Sequence, residues 1–187
     1  MKKSIIRLER LILTISLLLI SVYSNSQDTK LSREDQKAAR KERQYFDFQV
    51  IDTMLMNKSF VLEADYLENQ YGDRVPVISG INFIMVDSLS AVLQTGSNSR
   101  MGLNGVGGVT AEGRISGLKI VKDEKHLTFY IRFSVTSDIG IYDVTMDISS
   151  NKTARATISS LTRGKLIYTG RIETLYDSGV YKGRNSI

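Results

Sequence analysis

Leu127-Thr128-Phe129-Tyr130-Ile131-Arg132-Phe133-Ser134-Val135 is the stretch that decides the fold class. Leu127, Phe129, Ile131, Phe133 and Val135 are apolar, and Thr128, Tyr130, Arg132 and Ser134 between them carry polar groups. Successive side chains of a strand point to opposite faces, so this period of two gives one core face and one water face. The same alternation recurs on either side. Downstream it predicts strands through Tyr142–Ile148, Ala154–Ile158 and Leu166–Ile172, separated by turns at 137–140, 149–152 and 162–164. Upstream it predicts strands over Ser59–Leu67, Arg74–Ile78, Ile81–Val86, Ser90–Thr95, Gly108–Ile115 and Gly117–Val121. In the first of these, Phe60, Leu62, Ala64 and Tyr66 share a face opposite Glu63 and Asp65, and Pro76 marks an edge or a strand start.

Eight or nine short antiparallel strands with one polar face each point to a mainly β domain. A closed barrel or strongly curled sheet hides the edges that invite aggregation, and a two-sheet sandwich has the same periodicity. Gly80, Gly113, Gly117 and Gly170 are expected at bulges or corners.

The segment before the strands is different. Ser32 followed by Glu34 and Asp35 is a helix start, and the pattern stays helical to Asn57. Tyr45, Phe48, Val50, Ile51, Met54 and Leu55 recur at spacings of three and four, a stripe suited to capping or flanking a barrel. Lys37, Arg40, Lys41 and Arg43 precede that stripe and read as a solvated, basic helical extension.

The chain begins with Lys2, Lys3, Arg7 and Arg10, then an apolar run from Leu11 to Tyr23, then Ser24-Asn25-Ser26. Thirteen residues of helix reach only about 20 Å, short of a bilayer core of roughly 30 Å, so a cleaved export signal is expected. The expected organisation is a signal peptide over 1–26, a charged tether and helix over 27–57, and a β domain over 58–187. Removing 26 of the 187 residues leaves 161, one domain's worth. The leader holds four of the 25 basic residues and one of the 20 acidic ones, so the remainder carries 21 against 19. That near-balance gives no support to a nucleic-acid partner. The chain has no cysteine, which excludes an N-terminal lipid anchor, a thiol nucleophile and thiolate metal sites, and its single histidine, His126, cannot supply an imidazole cluster. The expected location is therefore the periplasm or beyond, not as a lipoprotein, and no metal or cofactor is expected.

Gly102-Leu103-Asn104-Gly105-Val106-Gly107-Gly108-Val109-Thr110 resembles a phosphate cradle only at first sight. No lysine follows, the glycine spacing fits no dinucleotide fingerprint, and the downstream residues alternate as a strand. It reads as a loop, with Asn104, Gly105, Gly107, Gly108 and Thr110 the positions at which a ligand or partner would be met. Glu63 and Asp65, about 7 Å apart along a strand, are the nearest approach to a carboxylate pair, with Glu112 a third carboxylate that would have to converge on them. No catalytic residue is assigned.

Four blocks carry a family resemblance: Phe60-Val61-Leu62-Glu63-Ala64-Asp65; Asn82-Phe83-Ile84; the glycine loop with Glu112-Gly113; and Tyr168-Thr169-Gly170 with Val180-Tyr181-Lys182-Gly183. In order and spacing they resemble the DUF4251 family, although proline is frequent there where Leu103 stands. The resemblance implies an exported protein of Bacteroidetes, a β-barrel-like domain of lipocalin-type topology preceded by a charged helix, and no assigned activity. The expected function is a non-enzymatic binding or interaction module for a small apolar ligand or an envelope protein partner. The alternatives are an envelope structural protein touching membrane or polyanion through its basic helix, and a carboxylate-dependent hydrolase or isomerase. An empty apolar cavity of a few hundred Å³ would favour the ligand.

Overall fold

The computed structural model describes residues 32–96, 108–160 and 164–183. It divides into two compact units, Met1–Arg40 and Lys41–Ile187. Of the first, the described residues 32–40 are all exposed. They begin helix α1, Arg33–Met56. Ser32 caps it as its sequence suggests: the hydroxyl accepts from the Glu34 and Asp35 amides, and the Asp35 carboxylate accepts from the Ser32 amide in return.

The second unit is an antiparallel meander closed on itself. The strands are β1 Ser59–Asn69, β2 Arg74–Pro76, β3 Phe83–Asp87, β4 Ser90–Thr95, β5 Val109–Asp123, β6 Thr128–Ser137, β7 Gly140–Ser149, β8 Thr153–Ser160 and β9 Gly164–Glu173. Neighbours run β1-β3-β4-β5-β6-β7-β8-β9, and β9 pairs back onto β1, so eight strands form a barrel and the sandwich alternative falls. The short β2 extends the β3 edge of β1, with Pro76 at its end as an edge strand permits.

Alternation sorts the side chains as expected. Phe129, Ile131, Phe133 and Val135 of β6 are buried in the barrel with Val144, Met146 and Ile148 of β7. Outward positions such as Arg132, Asp143, Thr145, Asp147 and Arg155 are exposed, so the outer wall of these strands faces water. No helix among the described residues is long and apolar enough to cross a membrane.

The departures from strict period two have physical causes. A bulge between Ala64 and Tyr66 shifts the register of β1 on β9. Tyr66, expected inside with Ala64, is therefore exposed beneath the Arg74 guanidinium, 4.0 Å from its ring centre, and Leu67 turns in instead. Beside that bulge, Gly170 has no room for a side chain, because a Cβ there would overlap the Glu63 carbonyl. The two strands expected at 108–115 and 117–121 are one, β5, bent at a bulge between Ser116 and Lys119 where Gly117 takes φ +63°. Leu127, expected as the first strand residue, sits in the preceding turn at φ 53°. Residues 79–81 form a 3-10 turn, so β3 starts at Phe83 rather than Ile81.

From Lys41 onward, α1 plugs the end of the barrel at which β1 begins. Phe48, Ile51, Met54 and Leu55 are buried in the core, and Phe48 stacks on Phe129 with ring centres 4.5 Å apart. Lys122 of β5 locks the helix in place, donating to Asp52 at 2.8 Å. That bond, with a second to Glu124, raises the lysine's pKa above its ordinary value. Tyr45, expected in the buried stripe, is exposed because it lies nearly a turn before the first buried residue, Phe48.

Candidate functional site

The barrel is closed by α1 at one end and opens at the other, where β1, β4 and β8 finish and β5 and β9 start. A cavity of about 350 Å³ lies at that mouth. Its walls are mostly apolar: Leu93, Val109, Ala111, Ile158, Leu166 and the ring of Tyr168. Small side chains make the room, since Ala111 faces inward where larger residues would fill the barrel. Tyr168 is fully enclosed, its hydroxyl donating to the Gln94 carbonyl at 3.2 Å. Burial pushes that phenol well above the usual tyrosine range, so it remains a neutral donor.

The rim is polar. Tyr142, Ser160 and Gly164 are direct partners across β7, β8 and β9, forming one continuous arc, and Gln70 leans over Gly164 from the β1–β2 turn. Lys165 follows Gly164 and is the one charged residue lining the cavity among the described residues. Asn69 also lines it, but its side chain is committed to the turn, bonded to Asp73 and to the Tyr71 amide.

A second feature lies on the outer wall. Residues 174–183, after β9, form a strap across β1, β3 and β4. Leu175 and Val180 pack on a buried patch of Val61, Phe83 and Val92 that faces away from the barrel interior. Polar latches flank this patch. Glu63 accepts from the Ser178 hydroxyl at 2.6 Å and the Gly179 amide at 3.2 Å. Lys182 donates to Glu112 at 2.8 Å. Gln94, fully buried, donates to the carbonyls of Tyr181 and Ile81 and accepts from the Gly183 amide and the Thr110 hydroxyl.

The residues singled out in the sequence fall as follows. Asn104, Gly105 and Gly107 lie outside the described residues. Gly108 stands just before β5, where a Cβ would overlap the Thr95 carbonyl. Thr110 is buried against Gln94. Glu63 and Glu112 hold the strap, whereas Asp65 is exposed at the β1 bulge, so these carboxylates do not converge in a cleft. His126 is exposed in the β5–β6 turn and bonded to Asp123 at 2.7 Å, which lowers that carboxyl's pKa below its ordinary value. Among the described residues no three His, Asp or Glu side chains come together as a metal site would require. The sequence alone does not announce the mouth residues. They come from the ends of different strands, and only their expected inward or outward phase is written locally.

A closed eight-stranded barrel with a helix at one end and an apolar cavity at the other places the protein in the class of small antiparallel β-barrels. Residues 42–172 match the family described as Domain of unknown function (DUF4251), and the chain belongs to that family. A crystal structure of a DUF4251 family protein from Bacteroides eggerthii DSM 20697 is similar, with a TM-score of 0.60 and 25% identity. The match covers 71% of this chain and 91% of that one. No curated protein matches.

Proposed function

We propose that this protein is an exported, non-enzymatic binding module that takes a small apolar ligand into the open end of its barrel. The single observation that supports the reading is the apolar cavity of about 350 Å³, which falls in the usual size range of small-molecule sites. Towards α1 the interior holds buried core side chains, among them Phe48, Phe129 and Phe133, so the mouth is where a ligand gains contact without displacing them. The carboxylates that a hydrolase would need are engaged by the strap or exposed, which disfavours the enzymatic alternative. Export is proposed from the leader over residues 1–26, and an intact mass of the mature protein that matches a start at Gln27, with or without its cyclisation to pyroglutamate, would support it.

Native mass spectrometry of the protein purified gently from its own envelope tests the binding reading. A reproducible added mass of a few hundred daltons, lost on denaturation, is expected. A clean ligand-free mass from several gentle preparations would overturn it.

A further inference from the structure

Among the described residues that line the mouth, the side chains of Gln70, Tyr71, Tyr142 and Lys165 have no hydrogen-bond or ion-pair partner, and all can donate. Tyr142 is 9% exposed, its hydroxyl lies beside Gly140, and among the described residues that hydroxyl has no hydrogen-bond partner. Among the described residues the Gln70 amide, over Gly164, has none either, and Lys165 makes no ion pair. The strand register sets these groups side by side, since Tyr142 faces Ser160 and Ser160 faces Gly164. Among the described residues no carboxylate lines the cavity, and Lys165 is its one charge. Below this arc the wall turns apolar through Leu93, Ala111, Ile158 and Leu166. A ligand matching that layout has an apolar body and, at one end, a group that accepts several hydrogen bonds and carries negative charge. Charge-assisted bonds to such a group are about twice as strong as neutral ones.

We infer that the mouth binds a single-chain amphiphile with an anionic carboxylate head, the tail in the cavity and the head on the arc of Gln70, Tyr142 and Lys165. The inference rests on the cavity being a ligand site and names what it takes. Taking the roughly 30 Å³ that one water occupies in the liquid as the share of each heavy atom, 350 Å³ holds about twelve, the size of a ten-carbon acid.

The test is isothermal titration of the purified full chain with decanoate, decanol and decylamine at one ionic strength, below the solubility limit of decanol and the micelle thresholds of the other two. Decanoate is expected to bind about tenfold more tightly than decanol, with decylamine weakest. Lys165→Glu, at an exposed position, is expected to cost decanoate about tenfold while leaving decanol within about twofold. Tyr142→Phe, which keeps the ring that packs below the rim, is expected to cost decanoate about threefold. Equal affinity for decanoate and decanol, or tighter binding of decylamine, would overturn the carboxylate assignment and leave the cavity reading standing. Decanoate affinity unchanged in Lys165→Glu and in Tyr142→Phe would do the same. Binding of none of the three would overturn both.

Discussion

Gln94 uses its amide nitrogen on the Tyr181 and Ile81 carbonyls and its amide oxygen on the Gly183 amide and the Thr110 hydroxyl. A leucine of similar size fits the space but leaves buried backbone groups unpaired, at about 1–3 kcal/mol for each group that water cannot reach. Gln94→Leu is therefore expected to lower the urea-unfolding free energy by about 2–4 kcal/mol. It should also expose the chain after Glu173 to limited proteolysis. A loss under about 0.5 kcal/mol, the usual scale of surface changes, would show that the strap is not held there. At the other end of the barrel, Asp123 gives a pH signature. Its carboxyl is held below the ordinary value chiefly by the His126 ring, with the His126 amide adding to the effect. A depressed carboxylate contributes stability above its unfolded pKa, and that contribution fades as pH falls through the folded one. Carbon-detected NMR titration should find Asp123 below the usual aspartate range, and His126→Ala should move it upward but not fully back, because the backbone donor remains. An unchanged titration in His126→Ala would contradict the contact. Single residues also mark the limit of sequence reading. Nothing in Gln94 alone announces a latch, since its partners lie as far away as residue 183, whereas Ser32 announced its cap because every partner is within three residues.

Among the elements, α1 is the one whose packing was best written in the sequence, and its error is instructive. The spacing of Phe48, Ile51, Met54 and Leu55 gives the buried stripe, but periodicity has no term for where the neighbouring surface stops, so it extends the stripe to Tyr45, which is exposed. Phe48 is the anchor, stacked on Phe129 and lying beneath the Lys122 ammonium at 5.2 Å. Phe48→Ala is expected to cost about 3–5 kcal/mol by cavity formation, read by calorimetry or urea unfolding. A cost below about 1 kcal/mol would mean that the helix does not seal the barrel. The strands were legible as elements because alternation over nine residues leaves little ambiguity. Their bulges were not, because a bulge is a two-against-one count between partners, and the partner of β1 at Tyr66 is β9, about a hundred residues away. The strap was legible only as part of a family resemblance. It is aperiodic, and its apolar residues Leu175 and Val180 carry no phase.

For the whole molecule, ligand occupancy and stability are linked. A ligand held only by the folded barrel adds about 2.7 kcal/mol at a hundred times its dissociation constant, so a bound amphiphile should raise the unfolding temperature in proportion to the logarithm of its concentration. A melting temperature insensitive to saturating ligand would deny that the cavity is the site. Closure was the part of the architecture that alternation left open. A barrel and a sandwich share the same period of two, and what separates them is the pairing of Val61–Asn69 with Leu166–Glu173, which no local pattern encodes.

That pairing sets an order of events for a chain made from its N-terminus. β1 is among the first strands to leave the ribosome or a translocation pore, and its partner β9 is the last. Until residue 173 emerges, β1 and β8 each present a bare row of backbone donors and acceptors, and until residue 183 follows, Val61, Phe83 and Val92 have no cover. The vulnerable interval for this protein is thus almost the whole of its synthesis. A nascent chain stalled or truncated before β9, which begins at Gly164, would be left as an open sheet with two sticky edges rather than as a slightly smaller barrel.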